Sequence, residues 1–307
     1  MKEINYSFII PHKNIPDLLQ RCLDSIPRRE DIQIIVVDDN SDLDKVDFDH
    51  FPGISEPCVE VYFTKEGRGA GYARNVGLKH AKGKWLLFAD ADDFFTNNIE
   101  RILDQYIDSC FDIIYFWVDS VDSDTLLPSD RGTAINEMIK KAVETKDYDA
   151  IKYRRLEPWA KIISHNLVTK NNLGFDETVA ANDLMFSAYA AYNTSNIWVD
   201  MQPIYCLTAR HGSLAHTISI NICDAKLNVI LRLNNFLLSI NKYQYRANAF
   251  HYAWLFHYVS FSKMLYGFYL VFKSTPHFLV VWDFFYYMGH LMKTIFNKRS
   301  SLMKISK

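Results

Sequence analysis

The stretch Trp85-Leu-Leu-Phe-Ala-Asp-Ala-Asp-Asp93 constrains this chain more than any other. An apolar run from Trp85 to Ala89 drives straight into three carboxylates, Asp90, Asp92 and Asp93. A run of that length and composition reads as a strand buried on both faces. Carboxylates crowded at its end need a partner, because an unpaired charge in a low dielectric is costly. Two Asp separated by one small residue project to the same side of an extended chain. They are therefore suited to hold one hard divalent cation through oxygen. An acidic turn capping a helix near Asn98 would use one such residue. Three exceed what a cap needs, so the pattern favours a metal.

Strands of the same kind recur upstream. Tyr6 to Ile10 reads as a strand stopped by Pro11, and Ile32 to Val37 as a second strand running into Asp38-Asp-Asn-Ser-Asp42. Val59 to Thr64 is a third, followed by the glycine-bearing Gly67-Arg-Gly-Ala-Gly71. Between and after them lie helical spacings over 17–26, 72–81 and 99–109, then a strand over 112–118. Residues 120–155 are weakly patterned, with one helix near 135–143, and a further helix is expected over 183–192. Alternating strands and helices predict a mostly parallel α/β sheet. Ligands of such sheets bind beyond the strands' carboxyl ends, so the polar clusters after the first, second and fourth strands should converge on one site.

Four segments then appear in order over residues 6–95: Pro11-His-Lys-Asn14, Val36-Val-Asp-Asp-Asn-Ser41, Gly69-Ala-Gly-Tyr-Ala-Arg-Asn-Val-Gly77 and Phe88-Ala-Asp-Ala-Asp-Asp93. Together they resemble the family-2 glycosyltransferases of bacterial polysaccharide synthesis, inverting enzymes of the GT-A fold. The likeness continues more loosely to about residue 215. It implies a Rossmann-like, nucleotide-sugar-binding domain over 1–224, with a C-terminal helical region over 225–307. It also implies a UDP-linked donor, with Pro11 and Asp39 lining the nucleobase pocket and Gly69 and Arg74 contacting the nucleotide. Asp38 stands beside Asp39, and the sequence leaves open which of the two faces the base. Asp90 and Asp92 would form the DxD motif on Mn²⁺ or Mg²⁺, which bridges the donor phosphates.

Inversion needs a general base for the acceptor hydroxyl. The resemblance implies Asp183 for that role, within Phe175-Asp-Glu-Thr-Val-Ala-Ala-Asn-Asp183. The family usually carries Glu where this chain has Asn182, which leaves Asp176 and Glu177 as rivals. Glu157-Pro-Trp-Ala-Lys161 resembles the acceptor-lining segment, implicating Trp159 and Lys161. His211 lies where relatives fold a loop over the diphosphate, as a further metal or phosphate ligand. Lys13 stands where the family usually has an aromatic residue, so base stacking would come from elsewhere.

Charge separates the tail from the rest. Residues 225–307 hold 11 Lys/Arg against one acid, Asp283, and 20 of the 45 aromatic residues, while the whole chain is −2. A change this sharp marks a functional boundary near residue 224. No uninterrupted apolar run there reaches about twenty residues, so spanning helices are not expected. Aromatic helices with Lys/Arg flanks suit an anionic bilayer interface, where a lipid-linked acceptor resides. The alternative is a helical subdomain that packs on the catalytic domain or on a second copy in a homo-oligomer. Five scattered cysteines without a CxxC pair, and an N-terminus without a charged-then-apolar signal, fit a cytoplasmic protein on the inner membrane face.

Two other functions compete. A nucleotidyltransferase would carry a glycine-rich phosphate loop after the first strand, where Pro11-His-Lys-Asn14 has none. A non-catalytic nucleotide-sugar-binding scaffold would not need Asp183 beside an intact DxD. Nucleic acid is not an expected partner, because the tail aromatics are amphipathic rather than interleaved for base stacking.

Overall fold

A computed structural model describes residues 3–210 and 218–289. The chain forms two compact units, Met1–Ser213 and Leu214–Lys307.

The first unit is built on one eight-stranded sheet. In chain order its strands are β1 (Tyr6–His12), β2 (Ile32–Asp39), β3 (Val59–Thr64), β4 (Trp85–Phe88), β5 (Phe94–Phe95), β6 (Ile113–Asp122), β7 (Lys161–Ser164) and β8 (Ile197–Ala209). Their spatial order is β3-β2-β1-β4-β7-β6-β8-β5. The first four are mutually parallel, β6 and β8 are parallel, and β7 and β5 run against their neighbours. The expected mostly parallel α/β sheet is therefore present.

β1 and β2 are buried along their whole length, which explains why both read as continuous apolar runs. On one face Phe8, Ile10, Ile34 and Val36 pack with Leu19 and Leu23 of α1 (Pro16–Asp24) and Leu103 of α3 (Ile99–Tyr106). On the other, Ile9, Ile35 and Val37 pack with Ala73 of α2 (Ala70–His80) and Phe186 of α7 (Leu184–Asn193).

Pro11 does not stop β1, which runs on to His12. Carbonyls of Asn5 and Ile9 accept from the β4 side, so alternate residues including Pro11 face that side. Pairing with β4 has already ended at Ile9 and Phe88, so the missing proline N–H forfeits no ladder bond. Five described elements of this unit are absent from the sequence reading, among them the two-residue β5 and the short α6 (His165–Lys170). β7 is only four residues long, and β8 is interrupted by Asp200 and Pro203 opposite a register shift at Trp117. α5 (Tyr148–Arg154) follows α4 (Thr133–Thr145) directly and starts where Asp147 accepts from the Ala150 N–H.

In the second unit α8 (Ile220–Ser239), α9 (Ala249–Trp254) and α10 (Phe261–Ser274) are followed by helix over residues 277–289. α8 passes uninterrupted through position 224, where the charge changes. Asn234 clamps the turn before α9 by bonding both the carbonyl and the N–H of Ala247. The tail's single acid, Asp283, is taken by Arg246 at 2.9 Å. No described helix is long and apolar enough to cross a membrane.

Candidate active site

Parallel strands that end together place their polar termini along one edge, and the edge formed by β1, β2 and β4 carries most of the expected residues. At the end of β2 the two aspartates are used differently. Asp38 Oδ1 accepts from His12 Nδ1 at 2.7 Å and from the Ser41 hydroxyl, while Oδ2 accepts from the Ser41 N–H at 2.9 Å. The Ile15 N–H donates to His12 Nε2, so the imidazole proton is on Nδ1. Burial opposes ionisation of Asp38, but the bonds from His12 and Ser41 outweigh it and hold the carboxyl below its ordinary range. This carboxylate is saturated.

Asp39 is not. Its Oδ2 accepts from the Gly69 N–H at 2.8 Å and lies 3.9 Å from Lys13 Nζ, but the buried Oδ1 has no partner. Burial pushes its pKa up despite these neighbours. A buried acceptor left unsatisfied costs about 1–3 kcal/mol, which a ligand N–H would recover. Of the two aspartates, Asp39 is thus the one with an acceptor left for a ligand. Pro11 lies buried one strand away, level with Val37.

Gly69 sits immediately before α2 with φ +92°, a conformation that side chains resist. A Cβ on Gly71 would lie 1.9 Å from the Asp176 carbonyl, so only glycine lets the 174–183 segment close over this loop. One turn further along α2, Arg74 is 5% exposed and joins two parts of the site. Its Nη2 donates to Asp90 Oδ1 at 2.6 Å and its Nη1 to Asn182 Oδ1 at 2.8 Å. Asn182 thus does a neutral acceptor's work beside Asp183.

The acidic turn after β4 is braced from behind. The Asp90 N–H donates to the Tyr205 hydroxyl, and the Asp92 carbonyl accepts from Arg21 and from the Thr208 hydroxyl. Asp93 is buried and accepts from the Thr208 N–H at 2.7 Å. Burial, then Asp90 and Asp92, push its pKa well above the carboxylate range, which suits a bracing group. Asp90 and Asp92 remain partly exposed, Asp92 with Arg210 at 3.7 Å. Burial, then the charge of Asp90, raise the pKa of Asp92, a repulsion that a cation would relieve. Among the described residues no three His, Cys, Asp or Glu side chains form a ready-made ligand set. Two carboxylates nevertheless fit an ion of the Mg²⁺ or Mn²⁺ type, which completes its shell with phosphate oxygens and water. His211 lies outside the described residues.

Asp183 is the residue before α7 and its side chain caps nothing. Burial raises its carboxyl to about 6, against the charge of Arg74 and with that of Glu157 and Asp90. A carboxyl in that range is matched to accepting a proton near neutral pH. Of the rivals, Asp176 donates its N–H to the Asn182 carbonyl and Glu177 pairs with Arg68.

The acceptor-side expectation needs correction. Trp159 is 7% exposed, stacked at 5.6 Å on Tyr205 with the Arg155 guanidinium 4.5 Å from its ring centre, so it offers no open face to a sugar. Lys161 is also buried, donating to the Arg155 carbonyl at 2.6 Å. Burial, then Arg155, pull its pKa down to about 7, while Glu157 and Asp183 pull it up. Both residues support the site rather than line it. The one partly exposed side chain of the segment is Glu157, held at 2.8 Å by Arg155.

A family model described as glycosyl transferase family 2 matches residues 7–167, just over half of the chain. The chain belongs to glycosyltransferase family 2. Among curated relatives of this family-2 chain, it is 27% identical over 210 residues to an uncharacterized glycosyltransferase, EpsJ of Bacillus subtilis, covering 62% of this chain and 55% of that protein. It is 25% identical over 238 residues to the poly(ribitol-phosphate) β-N-acetylglucosaminyltransferase TarS of Staphylococcus aureus, covering 75% of this chain and 40% of that protein. The chain thus spans about half or less of the length of these relatives. The crystal structure of a TarS fragment in complex with UDP-GlcNAc superposes with a TM-score of 0.69 at 21% identity, covering 89% of this chain and 82% of that one. A mannosyltransferase from Pyrobaculum calidifontis in complex with GDP-Man and Mn²⁺ gives 0.55 at 13% identity, covering 90% and 77%. The fold is GT-A.

Proposed function

We propose that this family-2 chain is a metal-dependent inverting glycosyltransferase that moves a sugar from a UDP-linked donor onto a glycan or lipid-linked glycan of the cell surface. The observation that carries this reading is the bridge made by Arg74. It ties Asp90 of the DxD turn to Asn182, next to Asp183. A donor phosphate and a proton acceptor are needed together only where a group is transferred between them.

Asp39 would receive the nucleobase imide N–H on its unpartnered oxygen. Asp90 and Asp92 would hold Mn²⁺ or Mg²⁺, which when bound neutralises charge on the leaving diphosphate. Asp183 would take the proton from the acceptor hydroxyl as that oxygen attacks the anomeric carbon. Attack from the side opposite the diphosphate gives the inverted product. Poly(ribitol-phosphate) is the acceptor named for TarS, and polymers of that polyanionic kind are one acceptor class.

We place the protein at the cytoplasmic face of the membrane, attached peripherally through its second unit. Phe261, Leu265, Tyr269 and Phe272 form an exposed stripe on α10, and Phe278, Trp282 and Phe285 an exposed row on the helix after it. So much exposed aromatic surface is unusual in a monomer. Flanking lysines suit an anionic leaflet. Donor turnover tests the enzymatic part: incubation with UDP- and GDP-sugars should release UDP, with Mn²⁺ and not with EDTA. GDP release, or turnover in EDTA, would count against it.

A further inference from the structure

The base-binding end of the site carries a group that the family resemblance does not supply. Lys13 follows directly on β1, whose last residue His12 is level with Asp38. The next register step brings Lys13 level with Asp39. Its side chain is half-exposed, and Nζ stands 3.9 Å from Asp39 Oδ2, longer than a hydrogen bond. A Cβ built on Gly67 would lie 3.7 Å from the same Nζ, so the ammonium sits at the rim of the glycine loop. One oxygen of Asp39 is thus a buried acceptor without a partner, and Lys13, with N–H groups unused, stands beside the other.

An imide base such as uracil presents acceptor, donor, acceptor along its edge. If Asp39 takes the central N–H, a carbonyl oxygen flanks it whichever way the ring enters. Guanine offers an acceptor on one side only, and cytosine has no imide N–H. We propose that Lys13 is a nucleobase-reading residue, donating to a uracil carbonyl beside the N–H that Asp39 accepts. It replaces with a charge-assisted hydrogen bond the selectivity that a stacked aromatic cannot provide, because stacking tolerates every base. The inference rests on the UDP-donor reading above.

Binding of UMP, UDP and the 2-thio and 4-thio analogues of UDP to the full chain and to Lys13→Met, with Mn²⁺, tests it. Losing a hydrogen bond to a charged group should weaken UMP and UDP alike by about tenfold or more. One thio analogue should bind wild type more weakly than UDP, yet cost Lys13→Met nothing further. Lys13 is exposed, so unchanged thermal unfolding of the variant is expected and is checked alongside. A loss several-fold larger for UDP than for UMP would overturn the proposal in favour of a phosphate contact. No loss at all would reduce Lys13 to a surface ion pair. Wild type that binds no uridine nucleotide would overturn the donor reading itself, and with it this one.

Discussion

Arg74 donates to Asn182 at 2.8 Å across 108 residues of sequence. A carboxylate at position 182 would place two acids side by side, and the second proton of such a pair is held more tightly. With asparagine, Arg74 keeps one neutral and one charged acceptor, and Asp183 has no acid at the preceding position to add to the charges of Glu157 and Asp90.

Arg74 should therefore be irreplaceable by lysine. A guanidinium spans two acceptors at fixed geometry, while an ammonium is a point charge. Arg74→Lys should lower kcat/KM by roughly 10²-fold, as for loss of one preorganised electrostatic contact. Because the Arg74 charge lowers the Asp183 pKa, Arg74→Met should also move the acid limb of the pH profile upward. Steady-state kinetics decide this, and wild-type rates for the lysine variant would show that the bridge is dispensable.

Asp183 sets a second expectation. Burial brings its pKa to about 6. A base must be ionised, so kcat/KM should rise with unit slope through about pH 6 and level off above. Asp183→Asn should cut kcat roughly 10²–10⁴-fold with donor affinity nearly unchanged. The sign for stability is opposite. A carboxyl raised from 3.8 in the unfolded chain favours the folded state below that value, an advantage lost as pH rises through about 6. The asparagine variant should accordingly melt higher than wild type at pH 7.5 and about equally at pH 4. A variant that loses both Tm and donor binding would mark Asp183 as structural.

The metal contact makes a third. Asp92 is partly exposed, and its carbonyl, Asp93 and the Asp90 N–H brace the turn rather than its carboxylate. Asp92→Asn should abolish turnover and Mn²⁺-dependent donor binding while thermal unfolding stays near wild type. Titration calorimetry with UDP, with and without Mn²⁺, would expose an error, since an unaltered metal dependence is incompatible with a ligand at this position.

β1, β2 and β4 are legible because parallel strands buried on both faces need no alternation, and their apolar runs stand out. β8 is not, since Asp200, Gln202 and Pro203 break its pattern, and what stabilises it is pairing to β6, about 85 residues earlier. The same divide holds at the site. Asp39, Gly69, Arg74, Asp90 and Asp92 cluster in short motifs and can be read locally. The His12 to Asp38 bond, the Tyr205 hydroxyl on Asp90 and Thr208 behind Asp92 depend on contacts between distant segments. Trp159 misleads for a related reason: a tryptophan next to an acceptor motif looks alike whether its ring is open or stacked on Tyr205.

The second unit gives the last expectation. Phe278, Trp282 and Phe285 are each about 70% exposed on residues 277–289, and α10 adds Phe261 and Tyr269. The only acid of the tail is already paired with Arg246, while Lys273 stays exposed at the end of α10. Such a surface should bind vesicles containing anionic lipid, each basic residue contributing about 1 kcal/mol and the aromatics the remainder. High salt should release the protein only in part, since it screens the lysines but not the buried rings. The double variant Trp282→Ser/Phe285→Ser removes exposed side chains only, so it should fold as wild type and sediment far less with vesicles. A second copy covering the same face would instead leave full-length protein in the supernatant at low salt. The double variant would then shift from dimer to monomer in sedimentation velocity.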